Sequence, residues 1–139
     1  SIGRSTHGQD GSEANLKQVA RPLNDRLKGH LIYLGDLHIA DAARGKRQAL
    51  REYVRLCVVL SAMTWPSFDW VFAHIPYKHR SLQDVYGFAS ITHNAFTWGE
   101  PRPFLRTDDM AVIYHAKSDL QHSLLIDDPD EPAKNQRER

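Results

Sequence analysis

A short run of small and basic residues at positions 44–49, RGKRQA, has the composition of an anion-binding turn. It separates an apolar segment typical of a strand from a segment typical of a helix. The first N–H groups of a helix have no partner inside the helix, and with the helix dipole they favour a bound phosphate. Gly45 and Ala49 would let the backbone approach a ligand, and Lys46 and Arg47 would add charged hydrogen bonds. The run is equally compatible with a tight strand-to-helix connection that binds nothing.

Two further side chains capable of proton chemistry lie just before this run. Asp36 and His38 are two residues apart, so a strand would direct both to the same face of the sheet. An imidazole titrates near neutral pH and can relay a proton. A histidine in a strand is also compatible with a structural role, and Asp36, which follows Gly35, with a carboxylate that accepts backbone N–H groups at a bulge.

Composition narrows the function classes. The chain has 139 residues, 41% of them apolar, which suits one domain with one core. Lys and Arg number 18 against 17 acidic residues, so a net charge of +1 gives no general argument for nucleic acid or an anionic membrane as partner. No apolar stretch reaches the length of a membrane helix and the N-terminus lacks a signal-peptide segment, so we expect a cytoplasmic protein.

His74 and His79 lack a regular spacing with carboxylates, and no metal site is predicted.

The lone cysteine excludes an internal disulfide and a cysteine-based zinc site. Cys57 lies in the apolar run LCVVL, which indicates a buried, inert thiol. The helix predicted around it, from Lys46 to Met63, has a wide apolar face that also includes Leu56 and Leu60. Such a face predicts a helix packed against a sheet over much of its circumference.

The elements that must position these residues follow from the apolar pattern. It predicts strands at 30–40, 68–75, 88–96 and 110–116, the long helix at 46–63, and a polar-faced helix over 77–87 that ends at Gly87 in a left-handed conformation.

The two ends of the chain and the segment at 15–29 have weaker patterns. Residues 15–29 are compatible with a helix interrupted by Pro22 or with a strand at 16–21 followed by a turn. Residues 1–14 are predicted to be a flexible lead and 127–139 a flexible charged tail, which leaves a single domain at 15–126.

This order of elements resembles the C-terminal two-thirds of the GCN5-related N-acetyltransferase (GNAT) family, over about residues 30 to 116. In the family, a loop with Arg or Gln first, Gly fourth and Gly or Ala sixth holds the pyrophosphate of acetyl-coenzyme A. Here Arg44 and Ala49 take the first and last places, and Arg47 takes the place of the glycine. YLGDLHI is similar to the central strand, FDWVFAHI to the next strand, which splays from it, and LQDVYGFASI to the helix that ends in a Gly-Phe pair.

The resemblance implies an α/β (α+β) fold, a mixed sheet of about four to five strands flanked by helices, with splayed central strands. It implies acetyl-coenzyme A, or a related acyl-CoA, as co-substrate, with Leu37, His38 and Ile39 along the pantetheine arm. The loop that would hold the pyrophosphate comprises Arg44, Gly45, Lys46, Arg47, Gln48 and Ala49.

The resemblance also implies catalytic roles. Asp36 stands where the family often has its base, and His38 would relay a proton. The family's frequent acidic tyrosine falls on Gln83 here, so Tyr86 is assigned as the acid by its proximity to that position. Gln83 has an amide that can hydrogen-bond a thiolate but cannot donate a proton as an acid does.

The expected function is therefore acetyl transfer from acetyl-CoA to an amine, either a small molecule or a peptide. The alternative is a non-catalytic GNAT-fold module that binds acyl-CoA or another protein, which is motivated by Arg47, by Gln83 and by the short segment before the first clear strand. Either such a trimmed domain completes its sheet as a homodimer, because an unpaired sheet edge favours association, or this sequence lacks a natural N-terminal portion. No nucleic-acid or membrane partner is expected.

Overall fold

A computed structural model describes the chain over residues 16–35, 37–100 and 109–126. Asp36 lies outside the described residues. So do the predicted flexible lead at 1–14 and the predicted charged tail at 127–139.

The described residues form six strands and four α-helices, with short 3-10 turns at Asp41–Ala43 and Tyr77–His79. In chain order the elements are β1 (Leu16–Val19), α1 (Arg21–Arg26), β2 (Leu31–Leu34), α2 (Arg47–Thr64), β3 (Trp70–Pro76), α3 (Leu82–Tyr86), β4 (Ser90–Thr92), β5 (Phe96–Trp98), β6 (Met110–Ala116) and α4 (Lys117–Ile126).

The strands form two sheets. The larger sheet has the order β2-β3-β6-β4, in which β2 and β3 are parallel and β6 runs antiparallel to both its neighbours. The smaller sheet is the antiparallel pair β1-β5. Parallel neighbours need a long crossover, and α2 supplies it between β2 and β3. The mixed α+β class and the mixed sheet of four strands are thus confirmed.

Alternation along β3 and β6 divides the core between the two faces of the larger sheet. Val71 and Ile113 point to one face, where they pack against Val54 and Val58 of α2. Phe72, on the opposite face, packs in a second cluster with α1 and β5, which includes Leu23, Leu27, Phe96, Trp98, Val112 and Tyr114. The sheet is therefore enclosed by α2, α3 and α4 on one side and by α1 with the small sheet on the other.

The long helix was predicted almost to the residue, but the strand before it was predicted too long. β2 ends at Leu34, and residues 37–40 are not in a strand. Among the described strands β2 pairs with β3 alone, and beyond Leu34 the alternating Leu37 is exposed. A segment with an apolar pattern forms a strand only where a neighbouring strand is present to pair with it.

Two other segments refine the prediction. The helix predicted over 77–87 divides into a 3-10 turn and the short α3, which ends as expected at Gly87 with a left-handed φ of 75°. At 15–29 the strand alternative is correct, and it is followed by α1. Pro22 lies in the first turn of α1, where its missing N–H has no cost.

The N-terminal end of the parallel pair is closed by Asp69. Its N–H donates to the carbonyl of His30 at 2.8 Å, and its carboxylate accepts the His30 N–H at 2.7 Å. Gly29 has a φ of +91°, and a Cβ there would stand 2.1 Å from Asp69 Oδ2. Both the backbone conformation and the approach of the carboxylate therefore require glycine at position 29.

Candidate functional site

A cavity of about 700 Å³ opens where β2 and β3 part. The last pair between these strands is Leu34 with Ala73, whereas β3 stays paired with β6 as far as Pro76. The opening is therefore on the β2 side of β3. The lining residues are Tyr33, Leu34, Gly35, Leu37, His38, Tyr53, Val54, Cys57, Ala73, His74, Ile75, Pro76, Leu82, Tyr86 and Phe88.

Helical spacing explains how α2 and α3 form the walls of the cavity. Tyr53 and Cys57 are four residues apart on α2, and Leu82 and Tyr86 are four apart on α3, so each pair lies on one side of its helix. Cys57 is partly exposed, and the prediction of a buried thiol was wrong. It hydrogen-bonds Tyr53, and this bond is the largest cause of the raised pKa of that phenol.

Of the three predicted catalytic residues, two line the cavity. Tyr86 is half-buried, and burial raises the pKa of its phenol. The hydroxyl therefore stays protonated at neutral pH and can donate a proton. His38 is exposed at the cavity wall, beyond the end of β2, so the shared strand face expected for Asp36 and His38 is not formed on the His38 side.

His74 is a wall residue that the sequence analysis assigned to no site, after a metal site with His79 was not supported by the spacing. Its ring centroid is 5.0 Å from that of Tyr33 and 4.9 Å from that of Phe96. The Tyr33 ring also covers Gly35, where a Cβ would lie 2.5 Å from Tyr33 Cε1. The period of two along β3, which places His74 on the same face as Phe72, was the available signal for this aromatic cluster.

The predicted pyrophosphate loop is exposed and does not line the cavity. Arg44 pairs with Asp41 at 3.1 Å, and the Gln48 amide donates to Glu52 at 2.9 Å. Gly45 has a φ of +82° with nothing within 4 Å of a Cβ, so its role is conformational. Lys46 flanks the start of α2 without a side-chain cap.

The start of α2 nevertheless keeps the features of an anion site. The N–H groups of Gln48 and Ala49 find no acceptor within the described ranges, whereas the Arg47 N–H donates to the Gly45 carbonyl at 3.1 Å. Tyr53, in the cavity wall, is six residues after Arg47, or about 9 Å along the helix axis. Of the residues predicted for the pantetheine arm, Leu37 and His38 line the cavity and Ile39 does not.

Gln83, at the position of the family's tyrosine, has a structural hydrogen bond. Its amide donates to the Phe88 carbonyl at 3.1 Å and so holds the turn at Gly87. Gln83 does not line the cavity. The Tyr86 phenol therefore lies in the cavity wall, whereas the Gln83 side chain does not.

The described part of the chain holds no cluster of three or more His, Cys, Asp or Glu side chains that would bind a metal ion. None of its helices combines the length and the apolar character needed to cross a membrane.

Comparison of the chain with models of known protein families, with curated proteins and with solved structures finds no match.

Proposed function

We propose that this protein has a GNAT-like fold and transfers an acetyl group from acetyl-CoA to an amine acceptor, a small molecule or a peptide. The observation that carries the proposal is the cavity between the two parallel strands, which pair as far as Leu34 and Ala73 and then part. The resemblance in the sequence predicts such an opening at this point of the chain. A cavity of this size suits the reactive end of a thioester ligand.

The extended shape of acetyl-CoA suits the distances in this region. The pantetheine arm would enter the cavity, and the pyrophosphate would lie at the start of α2, about 9 Å away along the helix. Past Ala73 the side of β3 that faced β2 has no strand partner among the residues described here. Main-chain groups at such an edge can pair with an extended ligand as a strand would.

The chemistry requires a neutral amine, and the sulfur that leaves the acetyl carbonyl carbon must receive a proton. As the new C–N bond forms, the C–S bond breaks. Tyr86 donates its proton to the departing sulfur, which its raised pKa permits at neutral pH. The proton lost by the amine goes to a base, for which Asp36, through His38, stays the proposal. His74 also lines the cavity and is the second imidazole there.

Calorimetric titration with acetyl-CoA tests the binding step. If Arg47 binds the phosphates, Arg47→Ala weakens binding by about 1 to 3 kcal/mol, because a charge-assisted hydrogen bond is lost. If Arg47 obstructs them, Arg47→Gly tightens binding instead. Arg51→Ala changes another exposed arginine one turn later on α2. It is the matched control and should leave the affinity unchanged. Absence of heat and of a thermal shift at millimolar acetyl-CoA would remove the basis of the proposal.

Release of the free coenzyme A thiol tests the catalytic step. Tyr86→Phe should retain acetyl-CoA affinity and lower kcat by about 100-fold or more, because one proton-transfer group is lost. Tyr77→Phe is the matched control, since Tyr77 stacks on His93 away from the cavity. Equal losses in the two variants would show that Tyr86 has no specific role.

A binding module without catalysis is the second candidate. It is favoured by the exposed loop 44–49, which lies outside the cavity wall and carries Arg47 where the family has glycine. This candidate predicts no thiol release with any amine tested, whether the protein binds acyl-CoA or has lost the cofactor and binds another protein. The two functions are therefore separated by one pair of measurements on the same protein.

A further inference from the structure

The outer face of α2 is apolar and exposed. Tyr53 and Leu56 are each 54% exposed, Leu60 is 53% exposed and Met63 is 72% exposed. The sequence predicted that Leu56 and Leu60 would be covered by the sheet. Each of them is two residues from Val58, which is buried against the sheet, and a helix turns more than half a circle over two residues. Both side chains therefore point to the opposite side.

The four exposed side chains form a regular row, which we call the α2 seam (Tyr53, Leu56, Leu60 and Met63). Their separations are three, four and three residues, which is the spacing of the a and d positions of a coiled coil. A row with this spacing fits the grooves of another helix. None of its members is charged, so no repulsion opposes its contact with an identical row.

We propose that the α2 seam is an interface between two copies of this chain, which pack α2 against α2 in antiparallel orientation about a twofold axis. In this arrangement Leu56 lies against Leu60 of the second copy, and Tyr53 lies against Met63 of the second copy. The contact is self-complementary, as a twofold interface requires. The antiparallel orientation also brings the positive start of one helix dipole near the negative end of the other.

The apolar surface of the seam supplies part of the area of a dimer interface. Trp65, just after α2, is 59% exposed and extends the apolar surface at the Met63 end. An aromatic side chain buries about 150 to 250 Å² when fully covered, so Tyr53 and Trp65, each a little over half exposed, together offer roughly 200 Å², to which Leu56, Leu60 and Met63 add. A standard interface buries about 800 Å² per partner, and the polar rim of α2 would supply the remainder.

This interface differs from the sheet-edge dimer predicted from the sequence. Pairing of two β2 edges would extend the sheet and leave the α2 seam in solvent, whereas the seam contact covers the apolar row and leaves the β2 edge unchanged. The seam proposal is also independent of the acetyl-transfer chemistry, since dimerisation is measured without ligand.

Sedimentation equilibrium of the full chain over a range of concentrations tests the interface. The unmodified protein should dimerise, and Leu56→Glu and Leu60→Glu should each weaken the dimer by at least about tenfold, because a charge is buried without a partner. Leu124→Glu on α4, another exposed leucine, is the matched control and should leave the dimer intact. A protein that stays monomeric throughout, as it would if another partner covered the seam, overturns the proposal, as does a dimer that tolerates both seam substitutions.

A charge pair tests the antiparallel alignment even if one seam variant fails to fold. Tyr53→Lys and Met63→Glu should each weaken the dimer, and the double variant should restore it, because the two new charges meet across the interface. The two positions are ten residues, or about 15 Å, apart within one helix, so the restoration cannot arise inside a monomer. Failure of the double variant to restore dimerisation would overturn the antiparallel contact.

Discussion

The two ends of the parallel pair β2-β3 differ in how they are held. At the N-terminal end, Asp69 hydrogen-bonds His30 through both its backbone and its carboxylate, and its carbonyl accepts the N–H of Lys117 at 3.1 Å. At the C-terminal end the pair stops at Leu34, and the strands part around the cavity. The same two strands are therefore tied at one end and open at the other.

This difference separates the residues that hold the fold from those available for chemistry. At the tied end the N–H, the carbonyl and the carboxylate of Asp69 are all occupied by hydrogen bonds to the backbone of His30 and Lys117. At the open end β3 keeps its hydrogen bonds to β6, so the opening is supported by the sheet and does not depend on the loop that follows β2. A binding site benefits from such support, because groups on a rigid strand keep their positions. Substitutions at each end test this comparison through their effect on the free energy of unfolding.

The largest effect is expected at Gly29. Gly29→Ala should lower the free energy of unfolding by about 2 to 3 kcal/mol, since a non-glycine residue is strained at a φ of +91° and the new Cβ displaces the carboxylate from the His30 N–H. Chemical denaturation of the two proteins gives the difference.

Gly45, at the open end, is the matched control for that measurement. Its φ of +82° is similar, but a Cβ there meets nothing within 4 Å. Gly45→Ala should therefore have only the cost of the backbone strain, about 1 kcal/mol. Equal losses of unfolding free energy in the two variants would mean that the contact of the new Cβ with Asp69 adds nothing to the loss at Gly29. The hydrogen bonds of Asp69 would then not hold the tied end.

A smaller loss is expected when the carboxylate of Asp69 is removed. Asp69→Ala should lower stability by about 1 kcal/mol, because the His30 N–H loses its acceptor while the backbone bonds of residue 69 remain. Asp41→Ala removes a carboxylate from an exposed ion pair with Arg44 near the open end, and should cost no more than about 0.5 kcal/mol. The reverse order of the two losses would contradict the comparison.

The sequence predicted best where structure depends on local chemistry. α2 was predicted within one residue at each end, because eighteen residues of good helix formers are followed by the Trp65-Pro66 break. Gly87 was predicted as a left-handed end because few other residues adopt that conformation. The strand after His30 was predicted too long, since the end of β2 depends on where β3 stops pairing with it. No local pattern contains that information.

The candidate site was predictable to a similar extent. Leu37, His38 and Tyr86 line the cavity, whereas Ile39 and the loop 44–49 do not, and Tyr33 and His74 were not singled out as a pair. Their contact requires β2 and β3 to be neighbours in a particular register. The outer half of α2 was misjudged for a related reason, because an apolar position indicates burial without identifying the surface that covers it.

The smallest predicted effect is a pH dependence of stability from His115, which lies between the two ends. In the sheet it is opposite Val71, near the tied end, and its ring stacks at 4.7 Å on Phe88, which lines the cavity. Burial lowers the pKa of His115 below its ordinary value of 6.5, and this outweighs the charge of Asp119 and the carbonyl of Gly87, which both raise it.

Because the folded protein holds His115 neutral, the unfolded chain binds its proton at a higher pH. The contribution of His115 to the free energy of unfolding is therefore fully present above pH 6.5. It is lost as the pH falls from 6.5 towards the lowered pKa of the folded state. His115→Gln should flatten this decline in urea unfolding measured between about pH 7.5 and pH 5.5, even if it lowers stability at every pH. An unchanged slope in His115→Gln would mean that the burial of His115 contributes nothing to the pH dependence of stability.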